Sequence, residues 1–376
     1  MEYDLRGKKV AMNRKMERNS NIELLRIVSM VMVLVLHCLA TGGALDYNSG
    51  INLFVYWWIE ALAIVAVDVF VLISGYFLVE RRFKAENVFK VAIEGVWIYS
   101  VIFTFIAMKM NPQTVGTSTM VKAFFPILTK KYWFVNSYVL MYMLSPYINK
   151  LIHSLSKRHF SMLLVYLVVF FSIRPTIFPL TWSQDATGGM GIISFIMLYC
   201  IGAWIRKYYK RNEKIMGWLF AYIGMSILLL VSKIVCIKLG MESLSTKFYG
   251  YESPVVIMEA VALFLVFLNR KAMKQMYITP INKIAKHSFS VYIIHFSILN
   301  ILFIKIFHIK DYISNVGRGV LAIIISVLSI YAVCTVIDIA KCYAFEEVGK
   351  LLRHTSAARK YNKVCIKWES MIDEIH

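Results

Sequence analysis

Apolar positions in this chain come in long blocks, not at every second place or on a single helical stripe. Runs near the length needed to cross hydrocarbon recur at 22–41, 53–79, 88–108, 132–152, 161–180, 191–205, 215–237, 253–269, 283–305 and 319–341. A segment apolar around its whole circumference must satisfy its backbone internally, which in a bilayer selects the helix. The pattern therefore predicts an all-α polytopic membrane protein with about ten transmembrane helices. The organisation it implies is a basic N-terminal segment (1–21), a transmembrane domain (22–341) and a tail (342–376), with no soluble domain outside the bundle and no internal repeat. The long connection at 109–131, with Pro112 and Pro126, carries VKAFFPIL, which reads as an amphipathic piece along the interface.

Composition agrees: 59% of the 376 residues are apolar, 17% are charged and the mean hydropathy is +0.62, which excludes ordinary soluble classes. The formal charge of +20 raises nucleic acid as a partner, but the basic residues do not form one stripe. They cluster between alternate apolar runs: Arg81/Arg82/Lys84/Lys90, Lys150/Lys157/Arg158, Arg206/Lys207/Lys210/Arg211/Lys214 and Arg270/Lys271/Lys274/Lys283/Lys286. With the N-terminal Arg6 to Arg18 and the tail they mark one side as cytoplasmic, so both termini are expected there. Membrane lipids, and no nucleic acid, are the expected surroundings. Six cysteines without a CxxC pair or ligand spacing give no disulfide framework and no metal site. Arg26 and His37 inside the first run, with no A-x-A site after it, argue for a retained helix over a signal peptide.

Those two residues carry the first chemical signal. Eleven positions apart, they differ by about 20° in azimuth and about 16 Å in depth, so one helix face presents both. That face suits a long anionic ligand threading in from the cytosol, with Arg26 as anchor and His37 as a titratable base deeper in. The alternative is that Arg26 snorkels and His37 meets a backbone carbonyl. Asp68 and Ser74 lie six residues apart, about 240° in azimuth, so a helix presents both to one site only if it breaks near Ser74-Gly75. Such a break frees backbone N–H groups for a ligand or oxyanion; Asp68 then orients His37, pairs with Arg26 or bonds a neighbouring helix. His295 shares a face with Ser288 and Tyr292, as a satisfied bundle histidine or a catalytic one. Glu60, Glu94, Arg174 and Glu259 are assigned only charge pairing. Trp133, Asn136 and Tyr138, with Tyr142, fit an interfacial belt or a surface that stacks on sugars.

The R-x10-H pairing in NIELLRIVSMVMVLVLH (21–37) resembles the first-helix signature of the membrane-bound acyltransferase-3 family, the O-acyltransferases of bacterial surface polysaccharides. In order along the chain, VDVFVLISGYFL (67–78) is similar to the family's apolar run ending in Ser-Gly-Phe/Tyr, and RRFK (81–84) to its basic motif. YWFVNSYVLMYMLSPYI (132–148) resembles the fourth helix, FIMLYCIGAWIRK (195–207) the sixth, and KHSFSVYIIH (286–295) the run ending in Tyr-x-x-His. The resemblance spans roughly 20–345. It implies a multi-pass protein of the bacterial plasma membrane that moves an acyl group, usually acetyl, from cytosolic acyl-CoA to a hydroxyl of a polysaccharide or lipid-linked glycan.

By that resemblance His37 is the general base or transient acyl carrier, with Arg26, Asp68 and His295 beside it in the catalytic set. Arg26, Arg81, Arg82, Lys84, Lys90 and Ser74 bind the donor. Trp133, Asn136 and Tyr138 bind the acceptor, and Asp338 stands where the family has a late acidic residue, usually Glu. No cofactor is permanently bound; acyl-CoA is a substrate, and the acceptor is the glycan or a separate extracytoplasmic partner. The rival readings are a flippase for lipid-linked sugars, which would use the same buried Arg, His and Asp without acyl transfer, and an envelope assembly protein whose buried charges only pair.

Overall fold

A computed structural model describes residues 19–46, 48–110, 115–178, 187–302, 308–352 and 355–374. The basic residues Arg6 to Arg18, Pro112 and the far ends of the runs 161–180 and 283–305 lie outside the described residues. No strand occurs among those described. Fifteen helices follow in order: α1 (Ser20–Thr41), α2 (Gly50–Ile64), α3 (Ala66–Leu78), α4 (Ala85–Met110), α5 (Thr117–Phe124), α6 (Trp133–Ser154), α7 (Lys157–Ile177) and α8 (Ile192–Tyr208). Then come α9 (Ile215–Lys238), α10 (Glu242–Phe248), α11 (Pro254–Asn269), α12 (Gln275–Ala285), α13 (Ser288–Leu302), α14 (Val316–Leu352) and α15 (Ser356–Asp373).

Among the described residues six segments are long and apolar enough to cross a membrane: α1, α2 with α3, α4, α7, α9 and α14. The other four predicted runs fall on α6, α8, α11 and α13, which are shorter or less apolar, so the all-α polytopic class stands while the spans that meet this measure number six, not ten. The 109–131 connection contains the short helix α5. The last run continues past Lys341 to Leu352.

The second apolar run is broken, but not where its Ser-Gly pair suggested. α2 stops at Ile64 and α3 starts at Ala66, with Val65 between them at φ −65° and ψ −10°. At Ser74 the helix is continuous, and the hydroxyl donates to the Phe70 carbonyl one turn back (2.9 Å). Gly75 serves packing instead. A Cβ there would overlap the Tyr199 carbonyl of α8, and a Cβ on Gly202 of α8 would overlap the Leu72 carbonyl and sit 2.9 Å from the Tyr76 nitrogen. Two glycines thus let α3 and α8 meet backbone to backbone, the small-residue contact by which helices associate in lipid.

One end of the bundle collects the basic connections. Asn21 near the start of α1 donates to the Arg270 and Lys271 carbonyls (3.1 and 3.0 Å), the Arg211 guanidinium also reaches the Arg270 carbonyl, and Lys207 reaches the Ile152 carbonyl (3.1 Å). His153 Nε2 lies 3.0 Å from the Val79 carbonyl. The loops carrying the alternate Lys/Arg clusters therefore share the end at which α1 begins. At the opposite end Tyr56 donates to the Ile313 carbonyl (3.0 Å) and the Glu252 carboxylate accepts the Gly189 N–H (2.9 Å).

Of the acids assigned to charge pairing, Glu60 meets Lys233 at 2.8 Å, with the ammonium over the Trp57 and Tyr249 rings (5.0 and 4.4 Å). Glu259 does not pair: it is fully buried and neither carboxyl oxygen has a hydrogen-bond partner among the described residues. Glu94 is exposed, and its backbone carbonyl accepts from the Lys341 ammonium (3.3 Å).

Candidate active site

Two adjoining cavities run inward from the basic end. The outer one, about 250 Å³, is lined by Arg81, Asn87 and Lys90 from the α3–α4 connection and the start of α4, and by Tyr142 of α6. The inner one, about 420 Å³, is walled by Val33, Val67, Phe70, Phe134, Phe289 and Tyr292, and Lys286 and Ser288 also line it. Arg26, Ser74, Val91 and Tyr138 line both, so the guanidinium of α1 stands where the two meet. Lys90 opens a π-helical stretch, Lys90–Trp97, in which Lys90 and Val91 face the cavities. Wide turns of this kind recur at functional sites because they re-aim one or two side chains.

Beyond the inner cavity lie two histidines. Val33 precedes His37 on α1 by four residues and Tyr292 precedes His295 on α13 by three, so each imidazole sits about one turn past a lining residue. Their rings are 4.8 Å apart at 45°. His295 is 3% exposed; its Nδ1 is 2.6 Å from the Tyr292 carbonyl, which can only accept, so Nδ1 carries the proton. Nε2 is then a bare acceptor, buried without a partner among the described residues. A buried lone pair left unmatched is costly, and here it belongs to the ring that packs against His37.

Arg26 lies 3.6 Å from Glu23 and is about one-third exposed, so the charge is tethered at the α1 end and still reaches the cavities. The order from the basic end is a cationic mouth, a largely apolar cavity and, about one turn past its lining residues Val33 and Tyr292, two imidazoles, which fits a ligand charged at one end and reactive at the other. The sequence model of the acyltransferase-3 domain, described as an acyltransferase domain, matches residues 19–337 of this chain. The chain belongs to the acyltransferase-3 family. No curated protein and no solved structure matches it.

Within this acyltransferase-3 chain the other expected site residues divide. Arg26, Arg81, Lys90 and Ser74 line the cavities, whereas Arg82 and Lys84 do not; both side chains are exposed, and Lys84 acts through its backbone, bonded to the Tyr142 hydroxyl (3.2 Å). Tyr138, expected at the acceptor surface, instead lines both cavities near Ser74 (3.5 Å). Asn136 donates to the Ile127 carbonyl (2.8 Å) and Trp133 stacks on Tyr251 (5.6 Å, 28°), so both hold the fold locally. Asp68 bonds neither His37 nor Arg26: it is fully buried, neither oxygen has a hydrogen-bond partner among the described residues, and it lies close enough to Glu259 for the two to interact electrostatically.

Asp338 lies in a different cluster. Its carboxylate takes the Tyr99 hydroxyl (2.6 Å), His287 Nδ1 (2.6 Å) and the Lys341 ammonium (3.1 Å). His287, Asp338 and Cys342 offer ligand atoms within 4.8 Å of one another, but the Lys341 charge on the same carboxylate opposes a cation there. Sequence reasoning missed Asn87, Lys286 and Tyr292 as lining groups. Tyr292 and Lys286 both stood in the quoted motif KHSFSVYIIH, whereas Asn87 gave no signal.

Proposed function

We propose that this acyltransferase takes an acetyl group from cytosolic acetyl-CoA and passes it to a hydroxyl of an exported or surface polysaccharide across the bacterial plasma membrane. The observation that carries the reading is the pair of adjoining cavities that run from Arg81, Asn87 and Lys90, past Arg26, to Val33 and Tyr292, each about one helical turn short of the His37–His295 pair. CoA is anionic at its nucleotide end and carries its thioester at the tip of a slender arm. Guanidinium and ammonium groups at the mouth match the phosphates, and the apolar inner cavity matches the arm and acyl group. The clusters gathered at the mouth end make that end cytosolic by the positive-inside rule.

At the far end, His37 takes the proton of the acceptor hydroxyl as its oxygen forms a bond to the thioester carbonyl. The resulting tetrahedral intermediate collapses with cleavage of the C–S bond, and the departing thiolate recovers the proton from the imidazolium, leaving ester and free CoA. His295, held in one tautomer by the Tyr292 carbonyl, is the positioning partner of His37. Arg26 acts on the donor, fixing the depth to which it threads.

The test supplies radiolabelled acetyl-CoA on the cytosolic side of sealed vesicles and follows label in glycan on the far side, for wild type, His37→Gln and Arg26→Ala. The expected result is label with wild type and none with a stably folded His37→Gln. A wild type that neither binds nor consumes acetyl-CoA, while glycan export depends on its presence, removes the enzyme reading in favour of a flippase.

A further inference from the structure

The family match ends at residue 337, yet the chain beyond it returns to the donor mouth. α15 packs on the connection between α3 and α4. Its Glu369 carboxylate accepts the backbone N–H of Ala85, the first residue of α4, at 2.9 Å. Trp368 lies against Phe83 (5.5 Å) and Phe89 (6.0 Å), and Tyr361 meets Phe89 edge-on (5.4 Å). Phe83 in turn packs on Tyr142 (5.2 Å), whose hydroxyl is bonded by the Lys84 N–H (3.2 Å) and the Asn87 amide (2.9 Å) and donates to the Lys84 carbonyl (3.2 Å). Tyr142, Asn87, Arg81 and Lys90 line the outer cavity. An unbroken set of contacts therefore links α15 to the groups assigned to the phosphates.

The helix is built for this contact. Cys365, Trp368 and Ile372 share one face, with Cys365 and Ile372 buried, while Arg359, Lys360, Lys363 and Lys367 are exposed. Like most helices in proteins, this 18-residue helix takes most of its stability from the packing of that face. The dependence is mutual. Residues 81–84 lie between α3 and α4, tied to the helix ends only through Arg81 N–H to the Leu78 carbonyl and Asn87 N–H to the Lys84 carbonyl, and ordering each backbone unit costs about 1–2 kcal/mol. If that cost is met by α15 before the donor arrives, it is not charged against donor binding.

We propose that α15 is a working part of the donor mouth: it holds the 81–90 segment in the conformation that presents Arg81, Asn87 and Lys90 to acyl-CoA, with Trp368 and Glu369 as positioning residues. The inference rests on the donor reading above.

The test uses the full chain, purified, with acetyl-CoA as probe, and measures its Kd together with KM and kcat of transfer. Trp368→Ala and Glu369→Ala raise Kd and KM about three- to tenfold, the scale of one ordinary hydrogen bond, with kcat at saturation unchanged. Glu369→Gln, whose amide oxygen still accepts the Ala85 N–H, returns Kd to within about twofold of wild type. Hydrogen exchange over 81–90 rises in Glu369→Ala and not in Glu369→Gln, and this reads the same contact even where Trp368→Ala folds poorly. Unchanged Kd in Glu369→Ala, a tighter Kd, or a fall in kcat at constant KM overturns the proposal. Failure of wild type to bind acetyl-CoA removes the donor assignment itself, and this inference with it.

Discussion

Two histidine clusters lie in this bundle, built from similar residues and differing in one respect. Around His287 the groups are matched to one another: Asp338 gathers the imidazole, the Lys341 ammonium and the Tyr99 hydroxyl. Around His295 the account is left open, with Nε2 unmatched, a second imidazole at 4.8 Å and a cavity one turn away. Both clusters hold buried ionisable groups in apolar helices, which in a membrane marks function by default. The contrast lies not in the buried charge, which both clusters have, but in the hydrogen-bonding capacity left unspent at His295. The saturated cluster joins α4, the α12–α13 connection and α14 as a structural clasp, and the open one keeps a buried acceptor unmatched.

The largest effect that separates the two clusters is expected at His37. His37→Gln lowers transfer about 10²- to 10⁴-fold, the range supplied by a general base, with the melting temperature unchanged. His295→Gln follows with a loss of roughly ten- to a hundredfold in kcat, as for a residue acting through another. A loss of stability with turnover preserved would move His295 into the clasp. Asp338→Asn gives the mirror image: about 2–4 kcal/mol of stability is lost, because Lys341 and His287 keep their buried donors without the charge they were built around. Acetyl-CoA affinity in that variant stays within about twofold, and a larger change breaks the comparison.

At the mouth, combining Arg81→Ala with Lys90→Ala weakens acetyl-CoA binding about tenfold, more at low salt. The smallest effect belongs to Arg82→Ala with Lys84→Ala, which lie off the cavities and change affinity less than about twofold. A larger loss there would assign the phosphates to the whole basic loop, not to its cavity-facing members.

Much of this was legible from hydropathy alone. Block-like apolar runs place a helix at each expected position because lipid permits little else. The Arg26–His37 face was legible for the same reason: helical period and rise are fixed quantities. What escaped were features decided between helices. Val65 interrupts α2 and α3 with neither Gly nor Pro to announce it, and Gly75, which reads as a breaker in isolation, is an intimate packing point once Tyr199 is set against it. Asp68 and Asp338 look alike on paper, one buried with no bond and the other with three, because partners come from helices far away in sequence. The π-helical turns at Lys90–Trp97 and Val169–Ile173 carry no composition signal either.

The glycine contact between α3 and α8 bears on how far this channel can deform. On that side main chain rests on main chain, and nothing there can rotate out of the way. Across the inner cavity the corresponding contact is softer: a Cβ on Gly95 would come within 2.8 Å of the Phe289 ring, and a ring can turn where a carbonyl cannot. The channel is therefore a vice with one fixed jaw and one sprung jaw. Variants that admit a bulkier acyl group will arise at Phe289 and its neighbours, while the face carrying Ser74 and Gly75 keeps the shape it has.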